Sequence, residues 1–162
     1  MLTLTTNRTN GSVVFASGSP YKAVEFEGKV YEPGQGNNMY IFPGIGMGAI
    51  LSMARHVTDS MVEQASIALA GSLTDEEKSS ELVYPRLTRI RDISAQIGLA
   101  VIRAAQKEVS GPIFTVKMKI SESFFPIQNV DENELFRNLS DDAVLEYIKA
   151  KQWQPTNTFP RL

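Results

Sequence analysis

The chain has 162 residues, of which 43% are hydrophobic and 21% charged, the balance of a single folded domain and not of a disordered or collagen-like chain. Sixteen Lys and Arg against eighteen Asp and Glu leave a net charge of −2, so no clustered positive surface is expected for nucleic acid. The absence of cysteine and the single histidine exclude a disulfide framework, a thiolate zinc site, a cysteine nucleophile and a multi-histidine metal cage.

Gly and Pro break the apolar runs well short of the roughly 18 residues that span a bilayer, so no membrane contact is expected. The segment from Met1 to Arg8 lacks the basic start and long apolar run of a signal peptide. With no targeting segment visible, the expected setting is a reducing one, the cytoplasm or the mitochondrial matrix.

In chain order, Ser12 to Ala16 is a short run with β-branched and aromatic residues, stopped by Ser17-Gly18-Ser19-Pro20, and predicts a buried strand followed by a loop. Residues 24–31 alternate apolar and polar on both sides of Glu27-Gly28 and predict a small peripheral hairpin. Pro33 to Asn38 reads as a loop. The apolar segment from Pro43 to Ala54 predicts a buried helix with Pro43 in its first turn. Its three glycines each cost about 1 kcal/mol in helix propensity, which points to close approach of a neighbouring helix or a ligand.

Thr58 is the natural N-cap of a helix from Asp59 to about residue 71, and Thr74 to Glu77 is a capping box over a short helix. A longer helix runs from about Thr88 to Val109, with Ile90, Ile93, Ile97, Val101 and Ala104 on one face, and stops at Ser110-Gly111-Pro112. The composition then shifts. A β-like run, Ile113 to Ile120, precedes Phe124-Phe125-Pro126 and a polar stretch. Ser140 caps a final amphipathic helix over 141–150, followed by an irregular tail.

Gly44-Ile-Gly46-Met-Gly-Ala49 matches a dinucleotide phosphate loop in letters but lacks the strand before it and the parallel strand after it, so tight helix packing is the preferred reading. His56 reads as a capping or surface residue. Glu25 with Glu27, and the acidic helix starts at Asp75 and Asp141, do not make a metal site. Ser17-Gly18-Ser19 lacks a nucleophile elbow and reads as a turn. Asn37-Asn38 has two open readings: neutral donors and acceptors for a small ligand, or a helix cap or Asx-turn.

Phe15-Ala-Ser-Gly-Ser-Pro20, Gly34 to Gly48 and Arg55-His-Val-Thr-Asp-Ser-Met61 together resemble the malic enzyme family, in the C-terminal part of its nucleotide-binding domain. Leu73 to Glu77, Leu82-Val-Tyr-Pro85 and the Ile90–Ala100 helix continue the resemblance in order, over roughly residues 8–108. The fold it implies is α/β: the C-terminal portion of a Rossmann-like NAD(P)-binding domain, helix-rich and with an incomplete sheet. The implied division is a partial NAD(P)-binding domain over 1–110, a divergent insertion or linker over 111–139, and a C-terminal helix and tail over 140–162.

The family oxidatively decarboxylates malate to pyruvate with NAD or NADP and a divalent metal, Mg or Mn. The resemblance implies a substrate- and cofactor-binding set of Gly18, Gly36, Asn37 and Asn38. In it the two amides bond the substrate carboxylate and the nicotinamide end of the cofactor, and Gly18 lets backbone approach the cofactor. The glycines at 44, 46 and 48 pack the helix behind the site. The family's acid–base Tyr and Lys, its carboxylate metal ligands and its phosphate-binding loop have no counterpart here.

The expectation is therefore a fragment, inactive alone, that binds malate or pyruvate and NAD(P) as part of a homo-oligomer or with a complementary malic enzyme chain. The alternative is a non-catalytic module that packs on a partner.

Overall fold

The computed structural model describes residues 2–109 and 136–154. In order they form α1 (Leu2–Arg8), β1 (Ala16–Ser17), β2 (Val24–Phe26), β3 (Lys29–Tyr31), β4 (Gly34–Gln35), a 3₁₀ turn (Asn38–Tyr40), α2 (Phe42–Leu51), α3 (Asp59–Gly71), α4 (Asp75–Ser79), a second 3₁₀ turn (Leu87–Arg89), α5 (Ile90–Val109) and α6 (Asp141–Lys151). The β-like run at 113–120, the Phe124-Phe125-Pro126 motif and the end of the tail lie outside the described residues.

Helix α5 is the spine. Its Ile93, Ile97, Val101 and Ala104 are buried against Ile45 of α2 and Met61 and Ala65 of α3. A second face, with Ala95 and Ile102, is buried against Leu51, Phe136 and α6 residues Val144 and Ile148. Apolar stripes at helical spacing thus meet one another across α5. Helix-on-helix packing closes both clusters.

Two glycines permit the α2–α5 crossing. A Cβ on Gly44 would lie 2.5 Å from Ile97 and 2.8 Å from the Ser94 carbonyl, and one on Gly48 would lie 2.6 Å from Val101 and 2.8 Å from the Gly98 carbonyl. Four residues apart, they form one flat stripe on which the facing backbone rests. Gly46 is different: it faces outward with nothing within 4 Å of its Cβ position. The reading of all three glycines as packing residues therefore holds for Gly44 and Gly48 and fails for Gly46.

Helix α2 ends at Leu51, short of the predicted Ala54. Met53 takes a left-handed conformation (φ 53°), its N–H bonds the Ile50 carbonyl at 3.1 Å, and the Ala54 N–H bonds the Ala49 carbonyl at 3.0 Å. This is a Schellman closure without the usual glycine, and hence without its sequence signal. Helix α3 begins as predicted, with the Thr58 hydroxyl accepting from Met61 N–H at 3.2 Å.

The strands depart most from expectation. Within Ser12 to Ala16 only Ala16 enters a ladder, continuing to Ser17, and it pairs in parallel with Gly34-Gln35, a segment read as loop. Two residues are too few to show alternation, so a parallel strand of this length has no pattern of its own. The hairpin is as predicted: Val24 pairs with Tyr31 and Phe26 with Lys29 across Glu27 (φ 50°) and Gly28 (φ 78°), both left-handed as a two-residue hairpin turn requires.

Helix α1 has no counterpart in the sequence reading. Its threonines are poor helix formers, but the Thr6 hydroxyl donates to the Leu2 carbonyl at 2.9 Å, and Leu2 and Thr6 are buried.

Candidate functional site

Because β1 and β4 run in parallel, their carboxyl ends open at the same edge. Gly18 follows one, and Gly36, Asn37 and Asn38 follow the other. The ladder is held by Gly34 N–H to the Phe15 carbonyl and Gly36 N–H to the Ser17 carbonyl, each 2.9 Å. Gln35 Nε2 stands 3.5 Å from the Gly18 carbonyl oxygen, and the Gly36 carbonyl lies 3.7 Å from the Cβ position of Gly18. The structure thus brings all four candidate residues to one edge. Ligands of open α/β sheets sit outside the carboxyl ends of the strands.

The two asparagines differ in employment. The Asn37 side-chain oxygen accepts from Met39 N–H at 3.0 Å and caps the 3₁₀ turn, so the Asx-turn reading holds there. Its amide nitrogen is without a bond among the described residues. Asn38 is exposed, and its side chain makes no hydrogen bond among the described residues. One amide holds the loop and the other is open to solvent. Gly18 is exposed, and a Cβ there would meet only the Gly36 carbonyl, in ordinary van der Waals contact.

Beneath this loop lies a buried polar cluster that the sequence reading missed. Tyr40 is 1% exposed, donates its hydroxyl to the Pro85 carbonyl at 2.5 Å, and stacks on Tyr84 with ring centroids 5.8 Å apart. The Tyr84 ring also lies 3.3–3.5 Å from the Cβ position of Gly36, a close contact that a larger residue would tighten.

Glu77, 2% exposed, fixes the segment carrying Tyr84 and Pro85. One carboxylate oxygen accepts from Arg86 N–H at 2.8 Å; the other accepts from Thr74 N–H at 2.9 Å and from the Arg89 guanidinium. Arg89 also donates to the Ser72 carbonyl at 3.0 Å. The capping box at Thr74 was legible; the further reach to Arg86 and Arg89 depends on how the chain folds back.

Burial pushes the Glu77 carboxyl up, but the Arg86 and Thr74 N–H bonds and the Arg89 charge outweigh it and hold it below its ordinary value. Burial, followed by the nearby Glu77 charge, pushes the Tyr40 phenol up. Tyr40 is therefore a neutral hydrogen-bond donor at neutral pH.

The remaining sequence candidates fall elsewhere. Gly44 and Gly48 lie against α5, which leaves a phosphate no approach to their backbone. His56 is exposed beyond the end of α2, and the Ser17 hydroxyl accepts from Ser19 N–H at 3.4 Å within a turn. Among the described residues no three His, Asp or Glu gather to hold a metal ion. No described helix is long and apolar enough to cross a membrane.

The family model for the malic enzyme NAD-binding domain matches residues 4–106. The mitochondrial NAD-dependent malic enzyme of Amaranthus hypochondriacus is 42% identical over 144 residues, which is 88% of this chain and 21% of that protein. The mitochondrial NAD-dependent malic enzyme 2 of Arabidopsis thaliana is 42% identical over 146 residues, 90% of this chain and 22% of that protein. The NADP-dependent malic enzyme of Dictyostelium discoideum is 50% identical over 100 residues, 62% of this chain and 18% of that protein. The chain spans about a fifth of the length of the curated relatives it matches.

Proposed function

The chain belongs to the malic enzyme family, matching its NAD-binding domain, and on that premise we propose that it supplies one edge of a site for a nicotinamide cofactor and malate. The observation that carries this reading is the meeting of Gly18 with the Gly36–Asn38 loop at the carboxyl ends of two parallel strands. β1 and β4 would then be two strands of a Rossmann-like sheet, each with one neighbour among the described residues.

In this reading the open Asn38 amide donates to a malate carboxylate or to the carboxamide of the nicotinamide. Asn37 holds the loop through its oxygen and offers its nitrogen to the same ligand. Gly18 leaves room for the ring to lie against the backbone. NAD or NADP held at this edge by Gly18, Gly36, Asn37 and Asn38 would supply hydride-acceptor chemistry for malate oxidation.

The described residues bring no metal-binding cluster and no general acid–base pair to this edge, so no decarboxylation step is assigned to them. The chain is a contributor to the site and inactive by itself. Its partner is a second copy or a malic enzyme chain carrying the remaining machinery, in the cytoplasm or the mitochondrial matrix. A spectrophotometric assay of the full 162-residue chain with malate, NAD or NADP and Mg or Mn tests this directly: no reduction above background is expected, and turnover that disappears on Asn38→Ala would overturn it.

A second reading, a non-catalytic interaction module, draws on the outer face of α2, where Phe42 is 61% and Ile50 75% exposed. NADH binding separates the two, since a pure packing module has none.

A further inference from the structure

We propose that Glu77 is a positioning residue for the asparagine loop, acting through Tyr84, Pro85 and Tyr40; its relevance to ligand binding rests on the site reading above. The route is continuous. Glu77 accepts from Arg86 N–H at 2.8 Å, which fixes the residue next to Pro85. The Pro85 carbonyl accepts the Tyr40 hydroxyl at 2.5 Å, and Tyr40 ends the 3₁₀ turn that begins at Asn38. Tyr84 stacks on Tyr40 and lies against Gly36. The loop from Gly36 to Tyr40 is therefore pinned at both ends by Tyr84-Pro85, and that segment is pinned by one buried carboxylate.

The carboxylate is suited to this task because three donors converge on its two oxygens: the N–H groups of Arg86 and Thr74 and the Arg89 guanidinium. A glutamine at 77 keeps the shape but presents an NH₂ where one oxygen stood. A donor then faces a donor, and either the Arg86 bond or the Thr74 and Arg89 bonds are lost. Lys78 and Glu76, which flank Glu77 on α4, point to solvent and pair elsewhere: Lys78 with Asp75, Glu76 with Arg86.

The test is amide hydrogen exchange and side-chain amide NMR on the full chain, comparing wild type with Glu77→Gln. Exchange at Met39, Tyr40 and Ile41 should rise about tenfold, the effect of losing one locally decisive hydrogen bond. The Asn37 and Asn38 side-chain resonances should shift, while amides at the centre of α5, at Ile97 and Val101, keep their protection. Unchanged exchange at 39–41, or a rise shared equally by α5, would overturn the proposal.

If Glu77→Gln does not fold, Tyr84→Leu decides by the same readout, because it removes the ring against Gly36 and leaves the carboxylate and its donors in place. None of these signals needs a ligand. A loosened loop with no NADH binding by wild type would therefore uphold the positioning role and defeat only the site reading.

Discussion

Gly44 and Gly46 sit two positions apart on one helix and face opposite environments, so alanine at each separates packing from propensity. Gly44→Ala or Gly48→Ala drives a Cβ into Ile97 or Val101 and into facing backbone. The overpacking cost of about 1–3 kcal/mol should exceed the gain of up to about 1 kcal/mol from replacing glycine in a helix. Gly46→Ala meets nothing and should be neutral or stabilising by up to about 1 kcal/mol. Urea unfolding of the three variants checks this, and equal effects at 44 and 46 would contradict the crossing described.

At the same scale, Glu77 carries a pH dependence with a defined sign. Its folded-state pKa is lowered, so its contribution is present above the unfolded value of about 4.3 and is lost as pH falls through the folded value. Thermal unfolding should show stability falling in acid below about pH 4, with a shallower fall in Glu77→Gln. Parallel acid profiles for the two proteins would remove Glu77 from this role.

Among elements, what was legible had a local cause. Thr58 and Thr74 announce helix starts by capping chemistry within four residues, Glu27-Gly28 announces a turn, and the Ile93, Ile97, Val101 spacing announces the buried face of α5. What was not legible depends on a distant partner. β4 is a strand because Ala16-Ser17 lies beside it, and Tyr84 belongs to the candidate site because Gly36, far back in the chain, lies against its ring. Asn37 and Asn38 stood out by local chemistry, Gly18 and Gly36 only by resemblance; the clustering of Gly18 with Gly36 is a product of topology that no window of sequence contains.

The outer face of α2 is also a matter of elements. Phe42, Gly46 and Ile50 lie four residues apart, and the two side chains are exposed. Burial of such a face is favourable at about 25 cal/mol per Å². Light scattering on the purified chain is expected to show association, and Phe42→Ser with Ile50→Ser is expected to reduce it while shifting stability by no more than about 0.5 kcal/mol, as for exposed sites generally. A monomeric wild-type chain, or association untouched by the double substitution, would return this face to ordinary surface.

For the whole molecule, two helix-packed apolar clusters and a partial candidate edge coexist. α5 closes two apolar clusters, and both are built by helix-on-helix packing among the described residues. The edge that carries Gly18 and Asn38 belongs to a two-stranded ladder. A chain matching about a fifth of its malic enzyme relatives can in this way keep the shape of part of the domain and hold only part of a site.

The central claim, that this edge receives a nicotinamide cofactor, is tested most directly by an NMR titration of the full chain with NADH. Saturable shifts should appear at Gly18, Gly36, Asn37 and Asn38, including the Asn38 side-chain amide, and weaken on Asn38→Ala. No shift at these four residues up to about 1 mM NADH, a concentration that detects binding as weak as about −4 kcal/mol, or shifts confined to another surface, would contradict it.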